Sequence, residues 1–198
     1  MIAKRFFDLL FTLSGLLMLS PVFLFIAIWI KLDSPGPVFF RQERVGRNGK
    51  IFRIFKFRSM CLDAETKGRQ ITVGEDPRIT FSGRFLRKSK LDELPQLVNV
   101  LLGEMSLVGP RPEVPLYVAL YPEAMRELVL SVPPGITDYA SIEYKDENAI
   151  LGLAEDPDKA YIEQVMPAKL KLNERYVTER SLWVDFKVVL TTLKAIIS

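Results

Sequence analysis

The sequence of 198 residues has no histidine and a single cysteine, Cys61. Without histidine there is no Ser-His-Asp or Cys-His nucleophile system, no imidazole general base and no His-ligated zinc site. One cysteine excludes an intrachain disulfide and a multi-cysteine metal centre, so a reducing, cytosolic setting is permitted. Walker, GxGxxG and zinc-spacing motifs are absent, as are internal repeats and low-complexity tracts. Catalysis would have to rest on carboxylates, cations, hydroxyls or a hard metal held by oxygen.

What is present is unevenly spread. Hydrophobic residues make up 48% of the chain and charged residues 26%, too apolar for disorder and too charged for a polytopic membrane protein. The 27 Lys and Arg barely exceed the 24 Asp and Glu, but residues 1–60 carry ten of the cations and only three of the acids. A basic front half suits an anionic partner such as phospholipid, nucleotide or nucleic acid.

Between Leu9 and Ile30 no residue is charged. As one helix, at ~1.5 Å per residue, this stretch is long enough for the bilayer core of roughly 30 Å. The length of the run and the lack of a small-x-small cleavage site argue against a cleaved signal peptide. Two readings then compete. One is a spanning helix kinked at proline. The other is a re-entrant helix that dips in, breaks at Ser20-Pro21 and returns, with Ser20 bonding carbonyls that the proline frees. Basic flanks on both sides, Lys4 and Arg5 before and Lys31 through Arg58 after, favour the second by placing both ends on the cytoplasmic side.

Past the SPGP punctuation at 34–37, β-rich runs at Val38–Val45 and Ile51–Met60 flank a turn at Arg47-Asn48-Gly49 and predict a basic hairpin. A polar loop is expected from Asp63 to Pro77, then a partly helical stretch from Arg78 to Arg87. Apolar residues at 91, 94, 97, 98, 101 and 102 predict a helix that starts near Leu91, with Pro95 in its first turn and Gly103 at its end. MSLVGPRP (105–112) reads as a rigid loop. Helices are expected at Pro115–Leu130 and Pro157–Thr178, with an irregular stretch from Ser131 to Asp156. The segment Ser181–Ile197 has a Trp183, Phe186, Leu190, Leu193 face that suits either a core or a membrane surface.

The chemistry concentrates around Asp92-Glu93. Two adjacent carboxylates in a first helical turn feel the positive end of the helix dipole and point about 100° apart. They suit different roles, one as nucleophile and one as ligand for a hard cation such as Mg²⁺. Acids in a first turn are also ordinary helix starts. Here they stand among Arg84, Arg87, Lys88 and Lys90, with Gln96 and Asn99 continuing a polar face and Arg111 fixed between prolines. Cations around two carboxylates suit transfer between phosphates, and a solvated basic face is the plainer alternative.

DPRIT (76–80), GRFLRKSKLDELPQLVNVLLGEMSLVGPRPE (83–113) and the Pro-Gly-Ile-Thr stretch at 134–137 closely resemble the bacterial sugar transferase family, the monotopic phosphoglycosyl transferases. KFRSM (56–60) and the apolar segment broken at Ser-Pro resemble it too, so the likeness covers nearly the whole chain. The resemblance implies that a sugar 1-phosphate passes from a UDP-sugar to undecaprenyl phosphate with release of UMP, as the first membrane step of glycan assembly. It makes Asp92 the nucleophile of a covalent phosphosugar intermediate and Glu93 the Mg²⁺ ligand. It puts Lys56, Arg87, Arg111 and Pro112 on the substrate, and Gln96 joins them by its place on the polar face. It further implies an α+β fold: a mostly helical cytoplasmic domain (33–198) with a short hairpin, interfacial amphipathic helices and a re-entrant helix (1–32). The expected place is the cytoplasmic face of the bacterial inner membrane, with phospholipid and downstream glycosyltransferases as further partners and no nucleic acid. The chain's length matches the small class of the family. Many members read RPGITG where this chain has Pro133 and Asp138, so the sugar does not carry over.

Two other classes make different demands. A membrane-anchored scaffold, in which Asp92-Glu93 only starts a helix, would tolerate Asp92→Asn and ignore Mg²⁺. A nucleic-acid module would stack bases on Phe52, Phe55 and Phe57, which the long apolar segment makes a poor fit.

Overall fold

The computed structural model describes residues 2–62, 64, 76–144 and 147–197. The expected loop from Asp63 to Pro77 lies mostly outside these residues.

Helix α1 runs from Ile2 to Asp33 with Pro21 inside it. The predicted break at Ser20-Pro21 is met instead by backbone that stays helical across the proline. Pro21 has no N–H to offer the Leu17 carbonyl one turn back. The Ser20 hydroxyl donates to that carbonyl at 2.8 Å, so the freed acceptor is satisfied locally.

Both ends of α1 are fastened to the rest of the protein. Near its start, Arg5 donates to the Val100 and Leu101 carbonyls at 2.6 and 3.0 Å, a cation at the carbonyl end of another helix. Asp8 is buried. It accepts from Lys4 Nζ at 3.0 Å, Ser106 Oγ at 2.9 Å and the Leu107 N–H at 3.2 Å. Near its end, Ile26 and Ile30 pack with Phe57 and Leu86. Arg58 donates to the Ser34 carbonyl at 2.7 Å, and Asp33 accepts from the Ser82 N–H and hydroxyl at 3.0 and 2.8 Å. The middle of α1 has no such seat: Leu17 is 79% and Met18 83% exposed.

The hairpin forms as expected, with β1 (Phe39–Val45) antiparallel to β2 (Ile51–Phe57). Its turn uses the left-handed conformation at Asn48 and Gly49, residues that tolerate positive φ. Helix α2 covers Phe81–Lys88 and is capped by the Thr80 hydroxyl on the Gly83 N–H.

The single helix expected from Leu91 is divided. Lys90 adopts a left-handed conformation, Leu91–Glu93 make a 3₁₀ turn, and Pro95 takes the N-cap position of α3 (Gln96–Leu102). Proline cannot donate within a helix interior, so the chain places it at the boundary. The acid pair therefore sits in a separate turn before the helix.

MSLVGPRP contains a strand. β3 (Ser106–Val108) pairs in parallel with β4 (Gly135–Thr137). A Cβ on Gly135 would lie 2.1 Å from the Gly109 nitrogen, and one on Gly109 would lie 2.5 Å from the Pro133 carbonyl. Both positions need glycine for that close approach. The predicted helix at 115–130 splits into α4 (Pro115–Val118) and α5 (Glu123–Leu130), because Pro122 restrains Tyr121 and opens α5. The stretch read as irregular holds short helices α6 (Tyr139–Glu143) and α7 (Glu147–Gly152). α8 (Pro157–Ala160), a π turn at Tyr161–Val165 and α9 (Met166–Glu179) follow, then α10 (Leu182–Ile197).

The apolar core lies mainly between α9 and its neighbours. Val114, Tyr117, Val129, Leu151, Tyr161, Val165, Met166 and Leu170 form one cluster, and Val108, Val132, Tyr176, Val177 and Val188 another. Removing such a side chain costs about 2–5 kcal/mol. Large apolar residues remain outside it on α2 (Phe81, Phe85) and on α10 (Trp183, Phe186, Leu190, Leu193).

Candidate active site

Helices α6, α9 and α10, the hairpin, the acid-bearing turn and the loop after β3 enclose a cavity of about 1030 Å³. Asp92, Glu93, Lys56, Arg87, Arg111 and Pro112 all line it. Gln96, grouped with them by its spacing, does not line it; that side chain is fully buried and has no hydrogen-bond partner among the described residues.

Glu93 is held by two cations. Lys56 Nζ donates to Oε1 at 2.9 Å and Arg111 Nη2 makes a short ion pair with the same oxygen. Burial works against the charge, but Arg111 and Lys56 together hold the Glu93 carboxyl well below its ordinary value. Lys56 is itself pulled down by burial and by Arg111, while Glu93 and Asp92 hold it up.

Asp92 differs. It is 7% exposed and has no hydrogen-bond partner among the described residues. Burial, aided by the Glu93 charge, pushes its carboxyl up, and Lys56, Arg87 and Arg111 only partly offset this. Desolvation is the largest influence on its charge. A buried carboxylate with free lone pairs at the wall of a cationic cavity is available to a ligand.

The cations are placed by the fold. Asn99, fully buried, accepts from the Phe55 N–H at 2.8 Å and donates to the Arg53 carbonyl at 3.0 Å. It thus satisfies the free edge of β2 and fixes the strand that carries Lys56. Asn99 reads in the sequence only as part of a polar face, and its strand-holding role depends on a contact 44 residues away. Arg111 follows β3. Its N–H donates to Asp138 Oδ2 at 3.1 Å, and Asp138 Oδ1 caps α6 through the Ser141 N–H at 2.6 Å. Asp138, one of the departures from the resemblance, is fully buried and shapes the Arg111 loop.

Asp92 and Glu93 are hard oxygen donors, and no third His, Cys, Asp or Glu among the described residues joins them. That fits Mg²⁺, which takes one or two carboxylates and completes its shell with water and phosphate oxygens. Glu93 Oε1 is taken by cations, and Oε2 has no partner among the described residues.

A family model described as bacterial sugar transferase matches residues 1–198. The chain belongs to the bacterial sugar transferase family. A relative from Aeromonas hydrophila, named UDP-N-acetylgalactosamine-undecaprenyl-phosphate N-acetylgalactosaminephosphotransferase, is 39% identical over 98% of this chain and 44% of its own length. The UDP-glucose:undecaprenyl-phosphate glucose-1-phosphate transferase of Escherichia coli K12 is 40% identical over 96% of this chain and 39% of its own. The exopolysaccharide production protein PSS of Rhizobium leguminosarum bv. phaseoli is 40% identical over 98% of this chain and 94% of its own. The chain thus spans less than half of the first two relatives and nearly all of the third. Names with different sugars occur at the same level of identity, so a family member's sugar does not follow from overall likeness.

Proposed function

We propose that this bacterial sugar transferase moves a sugar 1-phosphate from a UDP-sugar to undecaprenyl phosphate, with Asp92 as a covalent nucleophile. The observation that carries this reading is the contrast within the acid pair: Glu93 is tied to Lys56 and Arg111, and Asp92 is buried, lines the cavity and has no hydrogen-bond partner among the described residues. In the first step an Asp92 oxygen bonds to the phosphorus that bears the sugar. The bond from that phosphorus to the bridging oxygen breaks, and UMP leaves with the electron pair. In the second step a phosphate oxygen of undecaprenyl phosphate attacks the same phosphorus, the bond to Asp92 breaks and the carboxylate is restored. Lys56, Arg87 and Arg111 offset charge on the transferring group, and such electrostatic stabilisation supplies most of the rate gain in phosphoryl chemistry. Mg²⁺ held by Glu93 would reduce repulsion between the Asp92 carboxylate and phosphate.

The membrane reading is re-entrant insertion from the cytoplasmic face of the inner membrane. Its support is that residues 5–12 and 26–34, at opposite ends of α1, are seated on one domain while the apolar middle is exposed. A helix spanning the bilayer core of roughly 30 Å would hold its ends on opposite sides. The exposed aromatic and aliphatic faces of α2 and α10 suit the interface of the same leaflet.

The test is UMP release from a panel of UDP-sugars by detergent-solubilised protein with undecaprenyl phosphate and Mg²⁺, with Asp92→Asn alongside. Release that needs Mg²⁺ and disappears in the variant is expected; unchanged release in Asp92→Asn would refute the mechanism. For topology, cysteines placed at residues 2 and 35 in a Cys61→Ser background should react only from the cytoplasmic side. Periplasmic labelling at residue 2 would refute re-entrant insertion.

A further inference from the structure

The cavity has two chemically different sides. Toward α2 its lining is cationic, with Arg87, Lys88 and Lys90 beside the acid pair. Beyond Arg111 the lining is formed by Tyr117, Ser141, Tyr144, Glu147, Tyr161 and Lys169. There the charges are already matched. Glu147 accepts from Lys169 Nζ at 2.9 Å, and Glu113 accepts from the Tyr161 hydroxyl at 2.5 Å and faces Arg44 at 3.8 Å. The Tyr117 and Tyr161 rings meet at 4.8 Å, and Lys169 lies 5.2 Å from the Tyr161 centroid. Ser141 Oγ is buried and has no partner among the described residues. A wall of tyrosine rings, hydroxyls and neutralised carboxylates offers little to a phosphate and much to a neutral polyhydroxylated ring.

A UDP-sugar has two such rings, the hexose and the ribose, on either side of its diphosphate. The proposed chemistry separates them. The leaving UMP and the entering lipid phosphate must occupy the same direction from the reacting phosphorus, opposite Asp92. The lipid comes from the membrane, and the cationic side adjoins it: Arg87 and Lys88 share α2 with the exposed Phe81 and Phe85, and Phe85 packs 5.5 Å from Trp29 of α1. The nucleotide side is therefore the α2 side. We infer that the wall beyond Arg111, with Ser141, Glu147 and the Tyr117–Tyr161 pair, holds the hexose of the donor and sets which sugar is accepted. This rests on the proposed transfer reaction.

The test uses full-length protein carrying Asp92→Asn, so that donors stay intact, and measures Kd for UMP and for UDP-hexoses differing at C2 or C4. Ser141→Ala and Glu147→Gln are added singly. Each is expected to change the ratio of affinities among the UDP-hexoses by about 10-fold while leaving UMP within about twofold, the scale of losing one hydrogen bond to the sugar. An equal loss for every donor together with weaker UMP binding would give the wall to the nucleoside and overturn the inference. So would unchanged ratios in both variants, or no donor binding at all. Donor binding with the expected ratio change but no UMP release by the wild type would overturn only the proposed reaction.

Discussion

Two of the places where this protein buries charge are built differently. At the seat of α1, Lys4 bridges Asp8 at 3.0 Å and Asp185 at 2.9 Å. Ser106 and the Leu107 N–H donate to Asp8, and the Tyr176 hydroxyl lies within hydrogen-bond reach of Asp185 at 2.8 Å and of the Val108 carbonyl at 2.9 Å. At the acid pair, Glu93 Oε1 takes two cations, while Asp92 has no hydrogen-bond partner among the described residues. A complete network fixes one arrangement, and it ties α1 and α10 to the strand that leads to Arg111. An incomplete one keeps a group ready for something that has yet to arrive. The same residue type thus serves structure in one place and chemistry in the other.

Substitutions that swap the two roles sharpen this contrast. Asp92→Asn should lower UMP release on the order of 10⁶-fold, the scale of losing a covalent nucleophile. Its thermal midpoint should stay equal or rise, because it removes a charge that burial disfavours. A clear drop in midpoint would mean that Asp92 has a structural partner after all. Asp8→Ala should do the reverse. It leaves the Leu107 N–H without its acceptor and costs about 3 kcal/mol in chemical denaturation, at the low end for a broken buried pair because Lys4 keeps Asp185. The fraction that remains folded should turn over normally.

Asn99→Ala tests the link between the two kinds of site. Unpairing the Phe55 N–H and the Arg53 carbonyl should cost about 2 kcal/mol. Loosening Lys56 should lower kcat on the order of 10²-fold, the scale of a misplacement of about 1 Å.

The smallest effect is on pH. Asp92 must be ionised to attack, and its carboxyl is pushed up by burial, so the rate of UMP release should rise with pH through a limb above the ordinary carboxylate value of about 4. Glu93, held down by Arg111 and Lys56, should add nothing to that limb. The stability signs are opposite. The raised Asp92 favours the fold below its unfolded value, a contribution lost as pH rises through its folded value. The lowered Glu93 favours the fold above its unfolded value, and that is lost as pH falls. A limb at or below about 4 would contradict the burial of Asp92.

Much of this is legible in the sequence, and the parts that are not share a cause. The hairpin is readable because Asn48-Gly49 is a local turn signal, and the apolar helix because the uncharged run from Leu9 to Ile30 leaves few alternatives. Asp92, Glu93, Arg87 and Arg111 stand out by their own chemistry, Lys56 and Pro112 by the family resemblance, and the fold brings all six to one cavity. The β3–β4 pair is invisible there because short parallel strands have no periodicity, and their pairing depends on Gly109 and Gly135 meeting across distant parts of the chain. Gln96 reads as part of the polar face because spacing gives direction around a helix but not what the neighbouring elements cover. The burial of Asp92 is hidden as well: a first-turn acid suggests an exposed helix start, and only the packed structure shows a carboxyl pushed up by desolvation.

The central claim is that the unpartnered carboxylate becomes covalently loaded. Protein mixed with a UDP-sugar and Mg²⁺, without lipid phosphate, should gain the mass of one sugar phosphate, mapped by peptide analysis to Asp92. The added mass should disappear when undecaprenyl phosphate is supplied. A protein that releases UMP only when lipid phosphate is present, and never carries the added mass, would contradict the account.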